Sequence, residues 1–154
     1  MASKNSNQLQ KAIENLVIED VYQKGARAFC ADDFDPKSSS EMQEIHVQQM
    51  HVVHKSEMVQ IEDDGELLRV FVRLGTRWIV PSENTDEPDV KAAIESDFIA
   101  EYRMNSPLAQ ECIDEFSLKN ASYHVWPYWR EYLSSQCERM RLPRVVLPTV
   151  QFTK

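Results

Sequence analysis

Four histidines, three cysteines and a surplus of carboxylates are the residues of this chain with chemistry to offer. The histidines are His46, His51, His54 and His124. A zinc site needs ligands that converge on one point. His51 and His54, three apart on a segment that reads as a strand, point to opposite faces. Neither His-Glu-x-x-His nor Cys-x-x-Cys is present, so no metal is expected. Nucleophilic catalysis needs a base beside its nucleophile. Cys30 stands in the acidic stretch CADDFD, which raises a thiol's pKa rather than activating it. Cys112 and Cys137 fall on apolar helical stripes, where a free cysteine packs as a small hydrophobe. With only three glycines there is no GxGxxG and no GxxxxGK[ST], so no nucleotide cofactor is expected. No catalytic residue is assigned, and the chain reads as a binding protein rather than an enzyme.

Charge narrows what it binds. The net charge is −8, which disfavours nucleic acid and anionic membranes. From Tyr123 to Lys154 there are five Lys/Arg against two Asp/Glu, a local +3, leaving −11 for the first 122 residues. No apolar run approaches the ~20 residues of a spanning helix, so no membrane insertion is expected. The N-terminus MASKNSNQLQK has no apolar core of a signal peptide, and the cysteine count is odd. Both point to a reducing cytoplasm with free thiols.

The aromatic residues carry a positive signal. Tyr123, Trp126, Tyr128, Trp129 and Tyr132 crowd ten residues. At 100° per residue, one helix face cannot bury all of them. Trp129 and Leu133 suit a core. The surplus must face a groove or a partner, and with the loop aromatic Phe34 it suits capture of unfolded, apolar segments.

These residues need a frame. Residues 1–10 are polar and read as a disordered terminus, with one domain over 11–154. A first strand is expected from Leu16 to Phe29. Leu16, Ile18 and Tyr22 share one face, and Val17, Val21 and Phe29 the other, so both faces should be covered. Residues 30–42 form a Pro- and Ser-containing loop. A second strand follows over 45–61, then a hairpin at Asp64-Gly65 of the type that needs positive φ. The third strand, 67–80, places Leu68, Val70, Val72 and Leu74 on one face. The fourth, 92–104, turns Ile94, Phe98, Ala100, Tyr102 and Met104 inward and Glu95, Asp97, Glu101 and Arg103 outward. Ser106-Pro107 reads as a helix start, with Leu108, Cys112, Ile113 and Phe116 as its stripe, ending near Asn120. Pro127 opens a second helix, carried by Trp129, Tyr132, Leu133, Cys137 and Met140. After Leu142, Pro143 and Pro148 force an extended tail. The expected class is α+β: a four-stranded antiparallel meander followed by two helices on one face.

At this point the chain resembles the SecB-type export chaperones. That family's helix starts Pro-Tyr-x-Arg-Glu, and Pro127-Tyr128-Trp129-Arg130-Glu131 matches it. Its tail pattern resembles Leu142-Pro143-Arg144-Val145-Val146-Leu147-Pro148-Thr149-Val150-Gln151-Phe152, with the second proline one place early. A loop aromatic before proline resembles Phe34-Asp35-Pro36. The resemblance implies an ATP-independent holdase that keeps preproteins unfolded for export. It places a client groove at the crossover loop and second helix, for which Phe34, Met42, Ile45, Val47, Trp126, Tyr128, Tyr132, Met140 and Leu142 are the candidates. It implies a homotetramer, a dimer of dimers, for which Leu16, Ile18, Leu108, Ile113 and Phe116 are interface candidates. It also implies hand-off to the motor SecA at an acidic sheet face, for which Glu95, Asp97 and Glu101 are candidates by their outward position. Two departures stand out. The family's Gly-containing turn after the second helix is replaced by Arg139-Met140-Arg141-Leu142, and the polar tail used in motor contact is absent before the end at Lys154. Relatives of that kind serve single clients, such as the antitoxin of a toxin–antitoxin system, which is the alternative reading.

Overall fold

A computed structural model describes residues 2–62, 65–143 and 145. The elements run α1 (Ala2–Asn15), β1 (Leu16–Cys30), a 3-10 turn (Ser40–Glu44), β2 (His46–Ile61), β3 (Gly65–Val80), β4 (Asp89–Met104), α2 (Gln110–Phe116), a π-turn (Ser117–Ala121) and α3 (Ser122–Met140). The α+β class and the antiparallel sheet are as expected. The strand order is β1-β4-β3-β2, so only β2 to β4 make a meander. The chain crosses from β1 to the far edge and returns strand by strand to pair β4 with β1, a Greek-key order.

The third and fourth strands form the centre because their alternation is unbroken. Leu68, Val70, Val72, Leu74, Ile94, Ala100 and Tyr102 are all fully or almost fully buried. Each such side chain contributes about 1.5–3 kcal/mol when its apolar surface leaves water. Helices α2 and α3 cover that face, presenting Ile113, Phe116, Val125, Trp129, Leu133 and Cys137 to the same core. Gly65 opens β3 with φ +89, in line with the hairpin reading; Asp64 lies outside the described residues.

The structure departs from expectation in five places. The N-terminal segment is helical from Ala2 to Asn15. Its polar composition hid a short stripe, Leu9 and Ala12, that packs on the core and leads into Leu16. In β1 the register shifts between Ile18 and Asp20 and again between Gln23 and Gly25. Each bulge reverses the parity of the side chains that follow, so Ile18 and Val21 share a face that strict alternation keeps apart. Within the protomer β1 is an edge strand, and Val17, Ile18 and Phe29 are exposed.

The two helices are joined end to end through the π-turn, without a loop at Asn120. Pro127 lies inside α3 instead of opening it. It is exposed, as is Tyr123, whose carbonyl would have taken the missing N–H, so the lost bond is on the solvent side. Ser106 does not cap α2, which begins at Gln110. Its hydroxyl instead donates to Asn15 Oδ1 at 2.6 Å, beside an Asn105 N–H bond to the Asn15 carbonyl at 2.8 Å. These tie the end of β4 to the end of α1.

Candidate client-binding surface

The crossover from β1 to β2 must be held before it can shape a groove. Lys91 does this. Its ammonium group is buried and ion-paired with Asp89 at 3.0 Å, Asp33 at 3.1 Å and Glu41 at 3.2 Å. The hydrogen bond to Asp89, with those to Asp33 and Glu41, pushes its pKa well above the usual lysine range. The Lys91 carbonyl also accepts from Ala31 N–H at 2.8 Å. Both ends of the loop are thereby fixed to the start of β4. Inside it, Asp35 Oδ1 accepts from Lys37 N–H, and Ser39 Oγ accepts from Glu41 N–H to cap the 3-10 turn.

With the loop fixed, the groove candidates separate by burial. Phe34 is only 5% exposed and Leu142 only 6%, so both are core side chains rather than a binding surface. Phe34 reaches the core because the loop folds inward, its N–H bonding the Ala31 carbonyl at 3.0 Å. Met42, Ile45, Trp126, Tyr132 and Met140 are half-buried along the rim of the core. Val47, at the open start of β2, is exposed. Tyr128 is 49% exposed and Tyr123 47%, against 1% for Trp129. The helix therefore sorts its aromatics as geometry requires: Trp129 inward, Trp126 and Tyr132 at the margin, Tyr123 and Tyr128 outward. Tyr123 was not among the sequence candidates, although its place in the aromatic crowd was the signal.

Two hydrogen bonds lock this helix to the sheet. His51 Nε2 lies 2.7 Å from Ser122 Oγ, joining edge strand β2 to the start of α3. His124 Nδ1 lies 2.7 Å from the Tyr102 hydroxyl on β4. Burial lowers both imidazole pKa values and raises that of the Tyr102 hydroxyl. Burial, with help from Asp35, likewise pushes the Cys30 thiol up, in the direction its acidic context implied. Among the described residues no three His, Cys, Asp or Glu side chains are placed to hold a metal ion. No helix there is long and apolar enough to cross a membrane.

The other sequence candidates fall as follows. Of the interface set, Leu16, Ile113 and Phe116 are already buried within the protomer, Leu108 is half-buried and Ile18 is exposed. Glu95, Asp97 and Glu101 share the outer sheet face, and two of them are paired with arginines. Asp97 is opposite Arg73 in the β3–β4 register and Glu101 is opposite Arg69. The pairs close at 2.7 Å for Arg73–Asp97 and 3.1 Å for Arg69–Glu101. The arginine hydrogen bond holds the Asp97 carboxyl below its ordinary pKa. Outward arginines on β3 lie in step with outward carboxylates on β4, which a strand-by-strand reading does not align.

The turn after α3 explains one departure from the family pattern. Arg141 takes φ +62, the left-handed conformation a glycine would occupy, and Leu142 N–H bonds the Cys137 carbonyl at 3.0 Å. The tail expected to be extended falls, at Arg144 and residues 146–154, outside the described residues.

No protein-family model matches the chain, and no curated protein matches its sequence. Among solved structures, the chain is similar to the SecB-like chaperone Rv1957 of Mycobacterium tuberculosis, determined in complex with a ChAD peptide from the Rv1956 HigA1 antitoxin. The TM-score is 0.71 at 14% identity, covering 94% of this chain and 97% of that one. The fold is SecB-like. Within that fold the crossover loop, the open edge of β2 and the outward side of α3 carry exposed or half-buried apolar residues, as does edge strand β1.

Proposed function

We propose that this protein is an ATP-independent chaperone, a holdase that binds non-native polypeptides along α3 and the crossover loop. The observation that carries the reading is the outward display of Tyr123 and Tyr128 beside half-buried Trp126 and Tyr132 on a helix whose inner face is already satisfied. Large aromatics left in water on a rigid element cost solvation, and a flexible apolar client segment removes that cost. Met42, Ile45, Val47 and Met140 extend the rim. Phe34 and Leu142 support the groove from beneath. No nucleotide, metal or catalytic group enters this mechanism: capture and release follow from client affinity alone.

Two finer readings differ in client range. A general holdase for export-bound preproteins is supported by the sequence resemblance in Pro127–Glu131 and the tail. A client-dedicated chaperone is favoured by a specific observation, that the similar mycobacterial protein was solved with an antitoxin peptide. Mass spectrometry of polypeptides co-purifying with the full chain separates them: many unrelated preproteins support the first, one dominant client the second. Coupling to SecA through Glu95, Asp97 and Glu101 would have to compete with the arginine pairs at Asp97 and Glu101. Assembly as a dimer of dimers rests on the exposed Val17, Ile18 and Phe29 of edge strand β1; a monomer by light scattering would contradict it.

A further inference from the structure

The outer face of the sheet, away from the helices, is the largest surface that client capture leaves unused. Its side chains follow from the register. Across the sheet, Gly25, Asp97, Arg73 and Val52 form one row, and Arg27, Glu95, Gly75 and Met50 the next. Lys24 and Lys55 flank these rows, their ammonium groups 5.4 Å and 4.5 Å from the centre of the Phe71 ring. Arg77 stands one row further on, donating to Gln48 Oε1 at 2.6 Å.

Two of the three glycines lie in these rows; Gly25 leaves open space, whereas the Met50 and Glu95 side chains close over Gly75. A depression of about 380 Å³ lies over Gly75, lined also by Met50, Arg77 and Glu95. A second, of about 340 Å³, lies over Gly25, with Arg27, Arg73, Glu95 and Asp97. A third, of about 130 Å³, holds Lys24, His54, Lys55 and Phe71 and shares Arg73 and Asp97 with the second. The first and second depressions share Glu95.

The charge of this band opposes that of the chain. Lys24, Arg27, Lys55, Arg73 and Arg77 line it with Glu95 and Asp97, in a protein of net charge −8. Arg73 is paired with Asp97 at 2.7 Å and Lys55 with Glu57 at 3.7 Å, which leaves Lys24, Arg27 and Arg77 against Glu95. At one end the band is bounded by Arg69, which holds Glu57 and Glu101. At the other, Asp33, Glu41 and Asp89 are drawn onto Lys91. Between them, Met50 and Val52 are exposed apolar contacts.

We infer that this band docks an acidic, apolar-studded segment of a partner protein. Lys24, Arg27 and Arg77 steer the acidic groups, and the exposed Met50 and Val52 meet apolar side chains. A nucleic acid fits less well. Its unbroken phosphates would run over Glu95 and Asp97, and its backbone offers nothing to Met50 or Val52. The inference is independent of client capture along α3, since it uses the opposite face.

The test is fluorescence anisotropy with the full chain and three labelled probes: a peptide of repeated Glu-Glu-Leu, one of repeated Lys-Lys-Leu, and oligothymidylate. The acidic peptide should bind best and lose about tenfold in affinity as salt is raised through the screening range. Arg27→Glu with Lys55→Glu and Arg77→Glu should weaken it by about tenfold or more, from the summed loss of surface charge contacts. Lys24→Ala with Lys55→Ala, which removes only exposed ammonium groups, should weaken it in the same direction if the triple variant fails to fold. Trp126→Ser with Tyr128→Ser should leave it unchanged. Absence of acidic-peptide binding, tighter binding of oligothymidylate, indifference to the charge variants, or loss in the aromatic variant would each overturn the inference.

Discussion

His51 Nε2 meets Ser122 Oγ at 2.7 Å, so a histidine on the edge strand β2 is bonded to the residue at which α3 begins. Ser122 is buried, and its hydroxyl also donates towards the Ser117 carbonyl at 3.4 Å inside the π-turn. The outermost strand, the irregular turn and the aromatic helix are therefore joined by hydrogen bonds through one side chain.

This bond and its counterpart, His124 to Tyr102, make stability depend on pH. Burial lowers both imidazole pKa values, so the unfolded chain binds more protons than the folded one below the ordinary value of about 6.5. The stabilisation is complete above that value and is lost as pH falls through the lowered folded values. Urea unfolding should show a midpoint that drops as pH falls from neutrality into the mildly acidic range. His51→Gln with His124→Gln should flatten that slope; an unchanged slope would mean that other groups set it.

Lys91→Met should loosen the crossover loop. It leaves Asp33, Glu41 and Asp89 close together without their cation, and the cost should be about 2 kcal/mol. A fall in thermal midpoint of about 4–8 °C checks it. Faster hydrogen exchange at Ala31 and Phe34 would place the loss in the loop.

Phe34→Ser should act on stability before it acts on binding. The side chain is core, and removing a buried phenyl ring costs about 3–5 kcal/mol. A variant of unchanged stability with impaired client capture would restore Phe34 to the binding surface.

Arg141→Gly should stabilise the protein by about 1 kcal/mol. A non-glycine residue at φ +62 costs that order, and glycine removes it. Chemical denaturation of the variant measures the gain.

The central strands were legible from sequence because they obey one period. Leu68 to Leu74 and Ile94 to Tyr102 alternate without interruption, and they are the core. The first strand was less legible because two bulges reset its faces, and only the second carries a sign in the sequence, the isolated Gly25. Pro127 misled as a helix start since its position in α3 depends on the π-turn upstream and on solvent at Tyr123. The site divided along the same line. Trp129 inward and Tyr128 outward follow from helical angle alone. The burial of Phe34 does not: it depends on Lys91 gathering carboxylates from 33, 41 and 89, a long-range contact. A lone lysine at the head of an apolar strand, just after an acidic turn, was the available signal. The cross-sheet neutralisation of Glu101 and Asp97 likewise needed the register.

Capture of unfolded chains by the exposed aromatics on α3 can be measured directly. A urea-denatured test enzyme is diluted into buffer without nucleotide, and its aggregation is followed by light scattering. The native protein should suppress the signal. Trp126→Ser with Tyr128→Ser, at an unchanged unfolding midpoint, should suppress it several-fold less. Full suppression by that variant, or none by the native protein, would contradict the claim.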